Sequence, residues 1–109
     1  NLLNTPVRGK EAVLKNNLHT LRDVIDQHNA DKGYYPGALE DLVGEGYLRG
    51  MPVDPIYGAK EWGVVYDEPD PDLIPAETDF PEDQLGPGII DVYSLAEGES
   101  LDGSLYQEW

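Results

Sequence analysis

An apolar stripe runs along the first third of the chain and stops abruptly at Gly33-Tyr34-Tyr35-Pro36. The stripe is made of four aliphatic side chains and one histidine, at intervals alternating between four and three residues: Leu14, Leu18, Leu21, Ile25 and His28. Such intervals predict an amphipathic helix with one packed face. Gly33 is suited to a left-handed helix cap, and Pro36 disfavours helix at the residue before it. The sequence therefore predicts a helix over about residues 5–32.

The rest of the chain predicts short elements and a small antiparallel sheet. A loop with one short helix is expected over residues 33–58, followed by a sheet region over residues 60–109. Alternating side chains at residues 62–66 and 89–95 indicate two strands, joined by an insertion over residues 67–88. We expect an α+β fold, because a long helix and a small sheet can bury one core between them. A chain of 109 residues has the length of a single domain.

Acidic residues dominate the charge of this protein. The chain has 22 acidic and seven basic residues, and its formal net charge is −15. This charge repels phosphate backbones and anionic lipid headgroups, so nucleic acid is an unfavourable partner. The insertion over residues 67–88 carries eight of the acidic residues and five prolines, a composition that predicts an exposed loop. A partner-binding loop and a solvated spacer are both consistent with it.

Catalytic signatures are missing from the sequence. The chain has no Cys, no G-x-S-x-G, no H-E-x-x-H and no phosphate-binding loop. His19 and His28 lie nine positions apart, which places them on opposite faces of the predicted helix. The interpretation is that the protein is not an enzyme.

Three segments, in order, carry a resemblance to a known family. Residues 11–36 are similar to the junction of the pilin and pseudopilin superfamily, where a long helix reaches a D-x-G-x-Y-P turn, here Asp31 to Pro36. Residues 46–55, GYLRGMPVDP, resemble the family segment GYL..LPxDPWG, and residues 91–95, DVYSL, resemble the strand DLYSLG. Together these segments resemble the major (G-type) pseudopilin of type II secretion, and only the acidic insertion falls outside the likeness.

The resemblance implies a mechanical function and a place in the cell. Family members are bacterial inner-membrane proteins made with a short cleavable leader and a hydrophobic helix, which later packs in the core of a periplasmic pseudopilus. Residues 1–109 would then be the periplasmic head domain, with the membrane helix absent from this chain. The implied partners are further copies in a head-to-tail homopolymer, minor pseudopilins and other secretion-system components. The polymer would help to export folded proteins across the outer membrane.

The resemblance also points to a calcium ion in the C-terminal loop, residues 95–104. Family heads hold the ion there with loop carboxylates and main-chain carbonyl oxygens, which suit a hard cation. In this chain Glu97 stands where an Asp is expected, and Asp102 matches the second carboxylate. The expected ligands would be the Leu95 carbonyl with Glu97, Glu99 or Asp102. The alternative is a loop held by hydrogen bonds and by packing of Trp109.

Two other functions are also consistent with the sequence. A type IV pilin or minor pilin would share the helix-to-turn junction, although many adhesive pilins close a C-terminal loop with a disulfide, which a chain with no Cys cannot form. A freestanding acidic module could instead capture a cation or a partner through residues 67–88.

Overall fold

The computed structural model describes residues 5–67 and 88–109 and has an α+β architecture. Both α-helices precede both strands in the chain, so helices and strands are segregated rather than alternating. In chain order they are α1 (Thr5–Lys32), α2 (Leu39–Gly44), β1 (Gly63–Asp67), β2 (Gly88–Tyr93) and a 3-10 helix (Tyr106–Glu108). The long helix and the small antiparallel sheet confirm the predicted fold class. Most of the acidic insertion, residues 68–87, lies outside the described residues. None of the described helices has an apolar stretch long enough to cross a bilayer.

Helix α1 follows the predicted stripe closely. All five stripe residues, from Leu14 to His28, have no more than 1% of their surface exposed, whereas His19 is exposed on the outer side. The helix ends at Lys32 because Gly33 adopts a φ of 82° and donates its N–H to the Asn29 carbonyl at 2.8 Å. The helix boundaries and the structural role of His28 therefore agree with the sequence prediction.

The sheet departs from the predicted alternation. Strands β1 and β2 pair antiparallel, but the register shifts between Val65 and Tyr66, which pair with Asp91 and Ile89. Ile90 is the extra residue of a β-bulge, so the buried side chains of β2 are Ile89 and Val92, three positions apart. The prediction of a strict two-residue period over residues 89–95 is wrong at this point, and β2 ends at Tyr93.

The core lies between α1, the sheet and the segments that flank them. Leu14 and Leu18 of the helix belong to the same buried cluster as Trp62, Val92 and Tyr106. The Tyr93 ring lies over Gly63 of the neighbouring strand, where a Cβ atom would come within 2.2 Å of the ring. Glycine at residue 63 is required by this close approach.

Candidate functional site

The three segments that carry the family resemblance meet in the fold. Arg22, in the first segment, donates its Nε to Oδ1 of Asp91, in the third, at 2.8 Å. Just before the third segment, Ile89 donates its N–H to the Pro36 carbonyl at 2.8 Å, which ties the turn after α1 to strand β2. The Ser94 hydroxyl donates to Oδ2 of Asp54 at 2.5 Å, which ties the loop before β1 to the end of β2. Segments far apart in sequence thus form one continuous unit around β2.

Asp54 is the centre of this unit. Its side chain is fully buried, and Oδ1 accepts the main-chain N–H groups of Ile56 and Tyr57 at 2.9 Å each. These bonds cap the tight turn at Pro55. Because the buried carboxylate has hydrogen-bond donors on both oxygens, it is stabilised in place without a cation.

The junction after α1 is held by His28. Its Nδ1 lies 2.9 Å from the Tyr34 carbonyl oxygen, and its Nε2 lies 2.7 Å from Oε2 of Glu45. The Tyr34 ring packs edge-on against the imidazole, with 5.3 Å between the ring centroids. Both ring nitrogens face oxygen acceptors of the protein, so His28 fastens the turn to the region of α2.

The C-terminal loop packs along one side of α1, and Glu11 is its first attachment. Oε1 of Glu11 accepts the Leu101 N–H and the Tyr106 hydroxyl, each at 2.8 Å. Burial, together with the hydrogen bond to Glu11, raises the pKa of Tyr106 to about 12. The tyrosine therefore stays a hydrogen-bond donor at any neutral pH.

Arg22 is the second attachment and joins three parts of the chain. Its Nε donates to Oδ1 of Asp91 at 2.8 Å, and Nη2 donates to the main-chain oxygens of Val92 and Trp109 at 3.0 and 2.7 Å. The planar guanidinium can satisfy these acceptors together because its donors are held in a fixed fork. Helix, strand and C-terminal loop are thereby held in one relative position.

Lys15 is the third attachment. Its ammonium lies 4.6 Å from the centroid of the Trp109 ring, a cation–π contact. Between helix and loop runs an open cleft of about 340 Å³, lined by Lys15, Leu18, Arg22, Asp102, Ser104 and Trp109.

Within the loop, two serine hydroxyls organise Asp102. Ser100 and Ser104 both donate their hydroxyls to Oδ1 of Asp102, and the Ser104 N–H donates to the same oxygen at 3.0 Å. The Trp109 indole N–H in turn donates to Oγ of Ser104 at 2.8 Å. The serine hydrogen bonds hold the pKa of Asp102 well below its usual value of 3.8.

The expected calcium ligands are not gathered by this loop. Asp102 accepts from serine donors, the Leu95 carbonyl accepts from Gln107 at 3.5 Å, and Glu97 and Glu99 are exposed. In the described part of the chain no group of three or more His, Asp or Glu side chains is placed to hold a metal. A calcium site needs six to eight converging oxygens, so the arrangement does not fit the ion. The ligand assignment stays a sequence prediction, and the alternative of a hydrogen-bonded loop packed by Trp109 has the geometric support.

Comparison with known proteins returned no match: no family model, no curated protein and no solved structure is similar to this chain.

Sequence reasoning missed the three attachments of the loop. Glu11, Lys15 and Arg22 lie off the apolar stripe, where the pattern of an amphipathic helix indicates a face exposed to water. Their intervals of four and seven residues do place them on one side of α1. Charged residues at such intervals are common on exposed helix faces, so the spacing alone did not indicate a contact surface.

Proposed function

We propose that the protein is a structural subunit of a type II secretion pseudopilus, or of a closely related filament, and that it has no catalytic role. In this proposal the described residues belong to the periplasmic head domain. The filament is built from further copies together with minor pseudopilins, and it helps to export folded proteins.

The observation that carries the proposal is the meeting of the three resembling segments around β2. Arg22 of the first segment bonds to Asp91 and Val92 of the third, and Asp54 of the second segment bonds to Ser94 of the third. A chance likeness of short motifs would not require the matching residues to contact one another. Their contacts support a shared architecture rather than three unrelated matches.

The shape of the head supports an assembly role. Helix α1 has 28 residues, which gives it a length of about 42 Å. Among the side chains of α1 whose burial is described, from residue 7 onward, Leu14 is the first that is buried, so the turns before it extend beyond the core. A helix that extends from a small head suits a subunit that packs against neighbours along a filament axis.

The test is assembly by the full-length product of the gene. The protein would be produced in a bacterium together with the assembly ATPase and the inner-membrane platform of a type II secretion system. We expect sheared cell-surface fractions or membrane extracts to contain filaments that carry the protein, and a strain without the ATPase to contain none. Full-length protein that stays monomeric in the membrane under both conditions would overturn the proposal. Long surface fibres that require a pilus machinery would instead indicate the type IV pilin alternative.

A further inference from the structure

Charge is distributed unequally along helix α1. Residues 5–22 include four basic residues and one acidic residue, in a chain whose formal net charge is −15. The first turn of the helix has no acidic residue. Two of the four basic residues are already engaged, since Lys15 lies over the Trp109 ring and Arg22 pairs with Asp91. Arg8 and Lys10 carry the remaining positive charge of this end.

The same part of the helix has an unpartnered surface. Arg8, Lys10 and Ala12 are exposed, and Val13 retains 48% of its accessible surface. Within the described ranges, 5–67 and 88–109, neither Arg8 nor Lys10 makes an ion pair. We call Arg8, Lys10 and Val13 the basic end.

Acidic residues collect around the opposite end of α1. Five exposed residues form what we call the acidic end: Asp31, Glu40, Asp41, Glu45 and Asp67. Two lysines lie nearby, since Lys32 Nζ is 3.5 Å from Oε1 of Glu45 and Lys60 lines a groove together with Glu40. Acidic side chains outnumber them, so the local charge is negative.

The acidic insertion starts and finishes at this acidic end. Asp67 pairs with Gly88, and Gly88 lies against Tyr35 of the turn after α1. The connection between Asp67 and Gly88 contains seven further acidic residues. Of the two attachment points, Asp67 is already one of the five residues of the acidic end, and Gly88 is uncharged.

Arg8 and Asp31 are 23 residues apart on one helix, a distance of about 35 Å along the axis. The Debye length at physiological ionic strength is about 8 Å, so the described charges at the two ends do not neutralise each other within one copy. From this polarity we propose that the basic end of one copy docks on the acidic end of a second copy, head to tail. The inference rests on the proposed function, because a filament needs a repeated heterologous contact of this kind.

Disulfide trapping tests the contact directly, since the chain has no native Cys. Ala12→Cys marks the basic end, and Gly44→Cys marks the acidic end at a position with nothing within 4 Å of an added Cβ. Mild oxidation of an equal mixture of the two variants at 150 mM salt should give mainly the mixed dimer, in which a disulfide joins one copy of each variant. Each variant alone should give little dimer. Equal yields of all three dimers would overturn the head-to-tail contact.

Charge exchange supplies the specificity test. Arg8→Glu with Lys10→Glu on the first partner, or Glu40→Lys with Asp41→Lys on the second, should each lower the mixed-dimer yield about fivefold or more. Combining the two charge-reversed partners should restore the mixed-dimer yield. Asp23→Lys with Asp26→Lys changes the charge by the same amount on the exposed middle of α1 and should leave the yield unchanged. Reversed variants that keep the original yield, or a combination that fails to restore it, would overturn the proposal.

The two proposals fail in different ways. If filaments assemble but mixed dimers are not trapped, this contact is wrong and the proposed function stands. If mixed dimers are trapped but the full-length protein builds no filament, the contact stands and the proposed function fails.

Discussion

The guanidinium of Arg22 donates to the main-chain oxygen of Trp109 at 2.7 Å, although 87 positions separate the two residues. It joins the helix to a residue that follows the loop in which the family resemblance places calcium, and the bond from Arg22 to Asp91 joins the helix to strand β2. The loop is thus attached to the helix by side chains of this protein. Glu11 and Lys15 attach it at two further points on the same side of the helix.

Removing the Arg22 fork should loosen the C-terminal loop. We expect Arg22→Met to lower the free energy of unfolding by about 1–2 kcal/mol, since it removes three hydrogen bonds from a half-exposed site. Arg22→Lys should recover little of that free energy, because an ammonium lacks the planar set of donors of the guanidinium. Urea denaturation measures both values, with exposed Arg49→Met as the control. A variant as stable as the original protein would show that these bonds do not hold the loop.

The buried stripe of α1 should tolerate no charge. Leu18 is 1% exposed, so Leu18→Asp should cost about 3 kcal/mol or more, because it buries a carboxylate without a partner. Val13 lies on the same helix with 48% of its surface exposed, and Val13→Asp should change stability by less than about 0.5 kcal/mol. Thermal melts monitored by circular dichroism compare the stabilities of the Leu18→Asp and Val13→Asp variants. Equal effects at both positions would contradict the packing of α1 on the core.

Calcium should have little effect on this domain. The Asp102 carboxylate accepts from Ser100 and Ser104, and the described carboxylates do not converge on a common point. We expect melts in EDTA, millimolar calcium and millimolar magnesium to give the same midpoint within about 1 °C. A ligand that binds only the folded state raises the midpoint by mass action. A rise of several degrees specific to calcium would therefore restore the sequence prediction of a site at Leu95, Glu97, Glu99 and Asp102.

Acid should remove the contribution of Asp102. Serine donors hold the pKa of this carboxyl below its unfolded value of 3.8, so its ionised form is favoured by folding. That contribution is fully present above about pH 5 and is lost as the pH falls through the folded-state pKa. Asp102→Asn should thus be less stable than the original protein at pH 7, and the difference should shrink below pH 4. The melting midpoints of both proteins across pH 2–8 measure this, and a difference that stays constant with pH would contradict it.

The sequence by itself determined the parts of the fold that depend on local pattern. The stripe from Leu14 to His28 and the cap at Gly33 specified helix α1 to its last residue, because period and turn chemistry are local properties of a chain. The Asp54 turn was predictable for the same reason, since Asp and Pro at adjacent positions favour it.

Only the tertiary structure decided which polar side chains act together. The bulge at Ile90 reversed the expected faces of β2, since one extra residue moves every following side chain to the other side of the sheet. Arg22 and Trp109, or Asp54 and Ser94, come together through the packing of distant segments. A polar residue on a helix surface has the same local pattern whether it faces water or a loop, so its partner is set by tertiary contacts alone.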